Sequence, residues 1–222
     1  MPKLVRLHRP DLVVDDPWEL VRRFFSVDRS SIASTSYDGY IATGKSPANR
    51  IVEEDILAIN TTMSARAPHQ DWAGLTAQKR LPELAAVDAS WNLFLTSQKI
   101  WSSEHVPERL TALFAAVLRK GVGISRATKV LHMKRPHLIP VCDSYVLRLM
   151  GIPGEDGASS VTLIEHLRSQ RGELLPLLQD LQMRLQKAGH ERTLVRIMDA
   201  LIWGSHPDTW LQRHRAPGSY GH

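Results

Sequence analysis

"KGVGISRATKVLHMKRPHLIPVCDSYVLRLMG", from Lys120 to Gly151, is the stretch that decides the fold. In it, Gly121 and Gly123 flank a valine and precede a segment with helical spacing. Glycines at such positions allow a tight turn between two helices and leave backbone N–H groups uncovered. The second helix then begins with free donors and a partial positive charge, a geometry that binds phosphate. A Gly-x-Gly turn is also common between packed helices, where its role is only structural.

Segments with helical spacing continue on both sides of this stretch. Residues 106–120 carry a continuous apolar face, and further helices are predicted to begin near residues 15, 51, 81, 143, 162, 173 and 191. Thr162 with Glu165 indicates a capping box, and Pro176 predicts a kink or a break. No series of alternating strands is present. The fold class is therefore predicted to be all-α, with residues 1–222 forming a single globular helical protein.

Two regions lack helical spacing. Residues 29–50 are rich in Ser, Gly and Thr, and this composition predicts a loop. Residues 212–222, at the end of the chain, are predicted to form a flexible tail.

The composition restricts the partners and the compartment. The chain has 222 residues and a formal net charge of +5, a balance that favours polyanionic partners. Its single cysteine, Cys142, excludes an intramolecular disulfide and favours a reducing compartment. No run of about eighteen apolar residues is present, so no membrane span is expected. The first residues lack a secretion signal, and the cytoplasm is the expected location.

The position of Asp143 adds a second signal to the glycine turn. It lies 20 residues beyond Gly123 (143 − 123) and follows "LIPV". With this spacing, residues 107–151 resemble the helix-hairpin-helix DNA glycosylase superfamily. The matching positions are Gly121, Val122, Gly123, Ala127, Val130, Pro140, Asp143, Val146 and Arg148. The resemblance implies a multi-helix fold with two helical lobes flanking a cleft.

The resemblance also implies a reaction. In that superfamily the aspartate, here Asp143, faces the sugar of an extruded nucleotide, stabilises the positive charge that develops on it and orients the attacking water. The protein is therefore expected to be a monofunctional DNA N-glycosylase that leaves an abasic site. The residues alone allow another role, because Asp143 stands where "DSYVLRLM" needs an N-cap.

Two further positions refine the expected chemistry. Members that cleave the DNA strand carry a lysine where this chain has Ser125, so hydrolysis without strand cleavage is implied. Lys129 lies one turn later on the same face, where a solvated or phosphate-facing lysine is the alternative to a displaced nucleophile. No cofactor is required, and the four cysteines of an iron–sulfur cluster are absent. A monovalent cation is implied at the backbone carbonyls of Val117, Arg119 and Val122.

The resemblance and the charge pattern together predict the DNA contacts. The glycine turn and the basic "MKRPH" segment are expected to lie on one side and to bind phosphates. The expected contact residues are Gly121, Val122, Gly123, Ser125, Arg126, Lys129, Lys134, Arg135 and His137. The alternative for the basic segment is an exposed charged loop.

Aromatic residues are the candidates for a base pocket. Tyr37 and Asp38 lie in the polar loop, where packing does not require an aromatic ring, although a turn at Gly39 also explains them. Trp91 and Trp101 are further candidates, together with Trp72 and Trp203, and core packing is the alternative for each. The histidines show no metal-ligand spacing, so no zinc site is predicted.

A second resemblance covers the whole chain. "KRP-L-IP--D", an upstream "DL-A" helix and a terminal "LD--LW" are shared with an uncharacterised bacterial family, here as Lys134 to Asp143, "EDILAI" and "IMDALIW". The expected partner remains double-stranded, modified or damaged DNA, bound by a monomer, in repair or in defence against phage. A non-catalytic helix-hairpin-helix DNA-binding protein and a protein-interaction domain are the alternatives.

Overall fold

The computed structural model describes residues 5–6, 13–14, 16–27 and 37–205. These residues form twelve helices and one antiparallel ribbon of two short strands, β1 (Val5–Arg6) and β2 (Val13–Val14). The helices are α1 (Pro17–Val27), α2 (Tyr37–Ala42), α3 (Glu53–Thr62), α4 (His69–Thr76), α5 (Pro82–Ala86), α6 (Gln98–Ser103), α7 (Val106–Val117), α8 (Ile124–Lys134), α9 (Ser144–Leu149), α10 (Gly157–Ser169), α11 (Arg171–Lys187) and α12 (Leu194–Ser205). The all-α prediction is confirmed for the described residues apart from this ribbon. The predicted tail, residues 212–222, lies outside them.

The side chains of Asp16, Ser97, Asp143 and Asp156 each cap the start of a described helix, and the last of these caps corrects the sequence prediction. Asp16 accepts a hydrogen bond from the N–H of Glu19 at the start of α1, and Asp143 caps α9. Helix α10 begins at Gly157, because Asp156 caps it, and not at a capping box formed by Thr162. The cap at Asp156 lies more than one turn before Thr162, so Thr162 is already inside the helix.

Two local interpretations of the sequence were wrong. The predicted break at Pro176 is wrong, because α11 continues from Arg171 to Lys187. Its buried face of leucines supplies tertiary packing that outweighs the local cost of the proline. Residues 37–42, predicted as part of a loop, form α2, and its first two residues, Tyr37 and Asp38, are buried.

Helix α12 lies at the centre of the core. Every residue from Leu194 to Ile202 is buried, and the helix packs against α1, α9 and α11. A helix that is apolar on all sides is stable only inside a protein. Two of these buried residues, Arg196 and Asp199, are charged or ionisable, and they lie in the cavity described below.

The turn between α7 and α8 leads into the helix that carries Lys129. Residues 118–123, the glycine turn, hold Arg119 and Val122 in an antiparallel bridge with N–O distances of 2.8 and 3.3 Å. Gly121 has a φ of +85°, and Gly123 is the N-cap of α8. The side chain of Val122 is buried. Among the described helices, none has the length and the apolar character to cross a membrane.

Candidate functional site

A cavity of about 300 Å³ opens beside α8 and the start of α9. Asp143 and Lys129 both line it, so the structure brings together two residues that the sequence singled out. Three carboxyl groups, two cationic groups and four aromatic rings are among its walls. They are Asp38, Asp143, Asp199, Lys129, Arg196, Phe24, Phe25, Tyr37 and Trp203.

The two carboxylate oxygens of Asp143 have different roles. Its Oδ1 accepts a hydrogen bond from the N–H of Val146 at 2.9 Å and so caps α9. No hydrogen bond to Oδ2 is formed within the described part of the chain. The side chain is half-buried and lines the cavity. The N-cap predicted from the sequence is confirmed, and it leaves one carboxylate oxygen available to a ligand.

Lys129 faces the same cavity from α8. Its Nζ donates to the carbonyl oxygen of Met63 at 3.3 Å, and the hydroxyl of Tyr37 donates to the carbonyl of Lys129 at 2.5 Å. Burial lowers the pKa of Lys129, and the nearby Asp143 carboxylate opposes this shift. The lysine is therefore fixed at the cavity wall and is easier to deprotonate than a solvated lysine.

Asp38 and Arg196 form a buried ion pair at the cavity. Nε and Nη2 of Arg196 donate to the two Asp38 oxygens at 2.9 and 3.4 Å, and Arg192 lies 3.5 Å from the same carboxylate. Burial raises the pKa of Asp38, but the two guanidinium groups outweigh burial and hold this pKa below its ordinary value. Asp38 is therefore ionised, and its charge neutralises much of the charge of Arg196.

Asp199 is a second buried carboxyl group of the cavity, with 6% of the residue exposed. Its Oδ2 accepts a hydrogen bond from the N–H of Val141 at 3.1 Å, whereas Oδ1 has no partner among the described residues. Burial raises the pKa of Asp199 to about 8, and the carboxylates of Asp38 and Asp143 add to the shift, against Arg196. This raised pKa favours the protonated acid at neutral pH.

His132 lies beside Asp199, with 4.0 Å between its Nδ1 and Oδ2. Nδ1 is 2.6 Å from the carbonyl oxygen of Ile139, so Nδ1 carries the hydrogen that is donated there. Burial lowers the pKa of His132 to about 4. His132 is therefore neutral, and it contributes no positive charge that would ionise Asp199.

The glycine turn presents unused donors at the N-terminus of α8. The glycines at 121 and 123 are exposed, and the N–H groups of Gly123, Ile124 and Ser125 form no hydrogen bond among the described residues. The carboxylate of Asp71 lies against Gly121, and Arg126 lies 3.6 Å from that carboxylate. The turn is therefore open to an anion at Gly123, whereas Asp71 occupies the space over Gly121.

The basic "MKRPH" segment does not form the predicted phosphate-binding cluster. The ammonium of Lys134 bonds to Asp55 and Ser46, and neither Lys134 nor Asp55 has any side-chain exposure. Arg135 is 2% exposed and donates to the carbonyls of Val87, Ala48 and Leu84. The prediction of phosphate contacts is wrong for these two residues, because both are used to hold the core together.

Two other predicted phosphate contacts, Arg126 and His137, have different environments. Arg126 donates to the carbonyls of Ala65, Arg66 and Gly121, so its guanidinium links the loop after α3 to the glycine turn. His137 is exposed and lines a different cleft with Pro136. Neither residue lines the cavity that contains Asp143.

Only some of the predicted base-pocket residues line the cavity. Tyr37 and Asp38 line the cavity, as does Trp203. Trp101 does not, because it is buried, donates from Nε1 to Glu165 at 2.7 Å and stacks with Arg168. Trp91 lines a cleft that also contains Arg135. The assignments of Trp91 and Trp101 to a base pocket are therefore corrected.

The carbonyls proposed for a cation are partly used. Those of Arg119 and Val122 each accept the N–H of the other residue, so a cation would have to share them with these hydrogen bonds. Within the described residues, no cluster of three or more His, Cys, Asp or Glu side chains could hold a metal ion.

Sequence reasoning missed the cavity residues of α1 and, apart from Trp203, those of α12. Phe24 and Phe25 are in α1, and Arg196 and Asp199 are in α12. A signal for the second pair was present, because "LVRIMDALIW" carries two charged residues three positions apart in an otherwise apolar helix. Charged residues in a buried helix are paired or functional more often than not.

A protein-family model described as "Family of unknown function (DUF6308)" matches residues 17–206. The matched segment runs from the start of α1 to one residue beyond α12, and it contains every residue that lines the cavity. No curated protein and no solved structure matches the chain.

Proposed function

The chain belongs to the DUF6308 family, and we propose that it is a monofunctional DNA N-glycosylase that hydrolyses the bond between an altered base and its deoxyribose. The observation that carries the proposal is that Asp143 keeps one free carboxylate oxygen at a cavity walled by aromatic rings. Such a cavity, at about 300 Å³, suits a flat heterocycle.

The chemistry follows from the position of Asp143. A base inside duplex DNA is stacked, so the nucleotide must first rotate out of the helix and enter the cavity. As the glycosidic bond breaks, positive charge develops on the sugar, and a carboxylate in a water-poor site stabilises that charge. The same carboxylate accepts the proton of the attacking water. The aromatic rings of Phe24, Tyr37 and Trp203 supply surfaces against which the base packs.

The glycine turn supplies the contact to the DNA backbone. The free N–H groups at the start of α8 bind a phosphate, and the helix dipole favours its negative charge. The exposed side chains of Arg119 and Lys120 extend the positive surface of the turn. Arg126 offsets the negative charge of Asp71 at this place. These groups replace the buried Lys134 and Arg135 as the basis for DNA binding.

Hydrolysis without strand cleavage agrees with the residues at the cavity. Ser125 has no amine, and Lys129 is fixed by the carbonyl of Met63 and faces Asp143. The product is then an abasic site. The protein would act as a monomer in the cytoplasm, in DNA repair or in defence against phage with modified bases.

The test is base release by the parent protein and by Asp143→Asn. A panel of DNA duplexes carries uracil, hypoxanthine, 8-oxoguanine, 5-hydroxymethyluracil or 7-methylguanine, and alkali reveals abasic sites. Asparagine also caps helices, so α9 is kept while the charge is lost. We expect Asp143→Asn to reduce release at least 100-fold and to retain duplex binding. Asp156→Asn is the matched control, because Asp156 caps α10 in the same way without lining the cavity.

Two results would redirect the proposal. Release at the parent rate by Asp143→Asn would remove the carboxylate from the mechanism. A parent protein that binds every duplex in a salt-sensitive way, but releases no base from the panel or from phage DNA with hypermodified bases, would be a DNA-binding module without catalysis.

A further inference from the structure

We propose that Asp199 is the general acid of this site, giving its proton to the departing base, and that the substrate is consequently a base that is uncharged while attached to DNA. This inference rests on the proposed glycosylase function. It assigns a second catalytic carboxyl group, contributed by α12, and it narrows the class of base.

The geometry singles out one atom. Asp199 lines the same cavity as Asp143, yet it is almost completely buried, and its Oδ1 has no partner among the described residues. A buried polar atom without a partner is destabilising, and such atoms are few in folded proteins. Because Asp199 is a residue of the cavity wall, we infer that the partner of this buried oxygen is a group on a ligand bound in the cavity.

The hydrogen bonds of Asp199 fix the location of its proton. Oδ2 accepts the N–H of Val141, so in the protonated acid the hydrogen is on Oδ1, the oxygen that has no partner. A carboxylic acid arranged in this way donates one hydrogen bond to the occupant of the cavity.

The charged and titratable groups around Asp199 keep that proton in place. Burial has the largest effect, the carboxylates on α2 and at the start of α9 add to it, and the guanidinium on α12 opposes it. That guanidinium is already bonded to the α2 carboxylate, and the histidine on α8 is neutral. The groups are Asp38, Asp143, Arg196, His132, Lys129, Tyr37 and the buried thiol of Cys142.

The two carboxyl groups then have complementary tasks, as in other hydrolases that use an acid and a base. The proton on Asp199 Oδ1 moves to a nitrogen or oxygen of the base, and the electron pair of the glycosidic bond moves onto the base. Water adds to the sugar carbon and loses a proton to Asp143. Asp199 ends as a carboxylate and Asp143 as an acid, and exchange with solvent restores both.

The presence of an acid indicates which bases benefit. A base that already carries a positive charge, such as 7-methylguanine, leaves as a neutral molecule and needs no proton. An uncharged base leaves as an anion unless it is protonated during bond cleavage. A deaminated, oxidised or hypermodified base of neutral charge is therefore the expected substrate class.

The experiment compares single-turnover release of the best neutral base of the panel and of 7-methylguanine, by the parent, Asp199→Asn and Asp143→Asn. We expect Asp199→Asn to lose about 100-fold or more on the neutral base. For 7-methylguanine, the release rate of Asp199→Asn should stay within about threefold of the parent rate. For the parent, release of the neutral base should fall above a pH of about 8, and the fall should be absent for 7-methylguanine. Circular dichroism and thermal unfolding check that Asp199→Asn folds, and the parent pH profile decides the question if it does not.

Three outcomes overturn this inference and leave the glycosylase intact, provided that Asp143→Asn remains inactive. They are neutral-base release by Asp199→Asn near the parent rate, equal losses on both bases, and a parent profile that stays flat up to pH 9.5. A parent protein that releases no base at all overturns the proposed function, and the role of Asp199 with it.

Discussion

Arg196 donates two hydrogen bonds to the carboxylate of Asp38, and Asp199 lies on the same helix one turn beyond the arginine. Arg196 therefore interacts with two acids, the ionised Asp38 and the protonated Asp199. Which acid it pairs with decides whether Asp199 keeps its proton. The first prediction follows from this arrangement.

Asp38→Asn should move the descending limb of the pH–rate profile to lower pH by about one unit or more. The Asp38 carboxylate raises the pKa of Asp199, and it also occupies the guanidinium that would lower that pKa. Without it, Arg196 stabilises the ionised form of Asp199. Release of the neutral base at pH 6, 7, 8 and 9 measures the shift. Asp180→Asn, in an exposed ion pair with Arg184, is the control and should leave the limb in place.

Stability should also depend on the ionisation of Asp199. Its folded pKa of about 8 lies above the value of about 3.9 in an unfolded chain, so the folded protein binds a proton that the unfolded chain has lost. The free energy of unfolding therefore falls as the pH rises from about 4 to about 8. His132 acts in the other direction, because its folded pKa of about 4 removes stability as the pH falls below about 6.5.

Asp199→Asn separates these two contributions. In urea unfolding at pH 5, 7 and 9, the variant should keep the loss of stability on the acid side and lose most of the decline toward pH 9. An equally steep decline in parent and variant would show that Asp199 does not hold a proton in the folded protein.

Lys134→Met should destabilise the protein by about 3–5 kcal/mol, because it leaves the Asp55 carboxylate buried without its cation. The double variant with Asp55→Leu should recover part of this loss. Both quantities are measured by urea unfolding. Duplex affinity, measured on the folded variant, should not change, since Lys134 cannot reach a phosphate.

Lys120→Met replaces an exposed lysine and is the matched comparison for Lys134→Met. It should leave the free energy of unfolding within about 0.5 kcal/mol of the parent. It should also reduce the slope of log affinity against log salt concentration by about one, the loss expected for one phosphate contact. Loss of affinity in Lys134→Met but not in Lys120→Met would contradict the assignment of these two lysines.

The two glycines of the turn should respond differently to alanine. Gly121→Ala is strained, because φ is +85° and the new Cβ would lie 2.3 Å from the carboxyl carbon of Asp71. It should cost on the order of 1–2 kcal/mol for the backbone alone. Gly123→Ala meets no atom within 4 Å and should fold normally, but its methyl group should weaken duplex binding by covering the free N–H groups. Urea unfolding and fluorescence anisotropy with an unmodified duplex measure the two effects, and equal duplex affinity of Gly123→Ala and the parent would place the phosphate elsewhere.

Borohydride reduction should not trap a covalent complex between the parent protein and its substrate duplex. A trapped complex requires an imine between an amine and the sugar, and the amine of Lys129 is held at the Met63 carbonyl. Trapping that disappears in Lys129→Gln, but persists in Lys120→Gln, would identify Lys129 as a nucleophile and the protein as a lyase.

Local signals were sufficient to predict the helices around the glycine turn and the cap at Asp143. Apolar spacing, a tight turn of glycines and an acid before a helix are each readable within a few residues. The position of Lys129 one turn after Ser125 was predictable from the same helix, but its place at the cavity was not, because the other walls come from distant helices.

Long-range pairing could not be predicted in this way. Lys134 finds Asp55 79 residues away, and Arg135 reaches the carbonyl of Val87 48 residues away. In the sequence these cations are indistinguishable from a solvated basic loop. The burial of Trp101 against Glu165, and the contribution of Asp199 to the cavity, likewise depend on contacts between helices that are distant in the chain.

The ion pair of Lys134 and Asp55 constrains how this sequence can diverge. Neither charge is tolerated alone in the interior, so a lineage that replaces one must replace the other soon afterwards. Across related chains, positions 55 and 134 should therefore vary together, as a charged pair or as two uncharged residues, even though neither side chain meets the substrate.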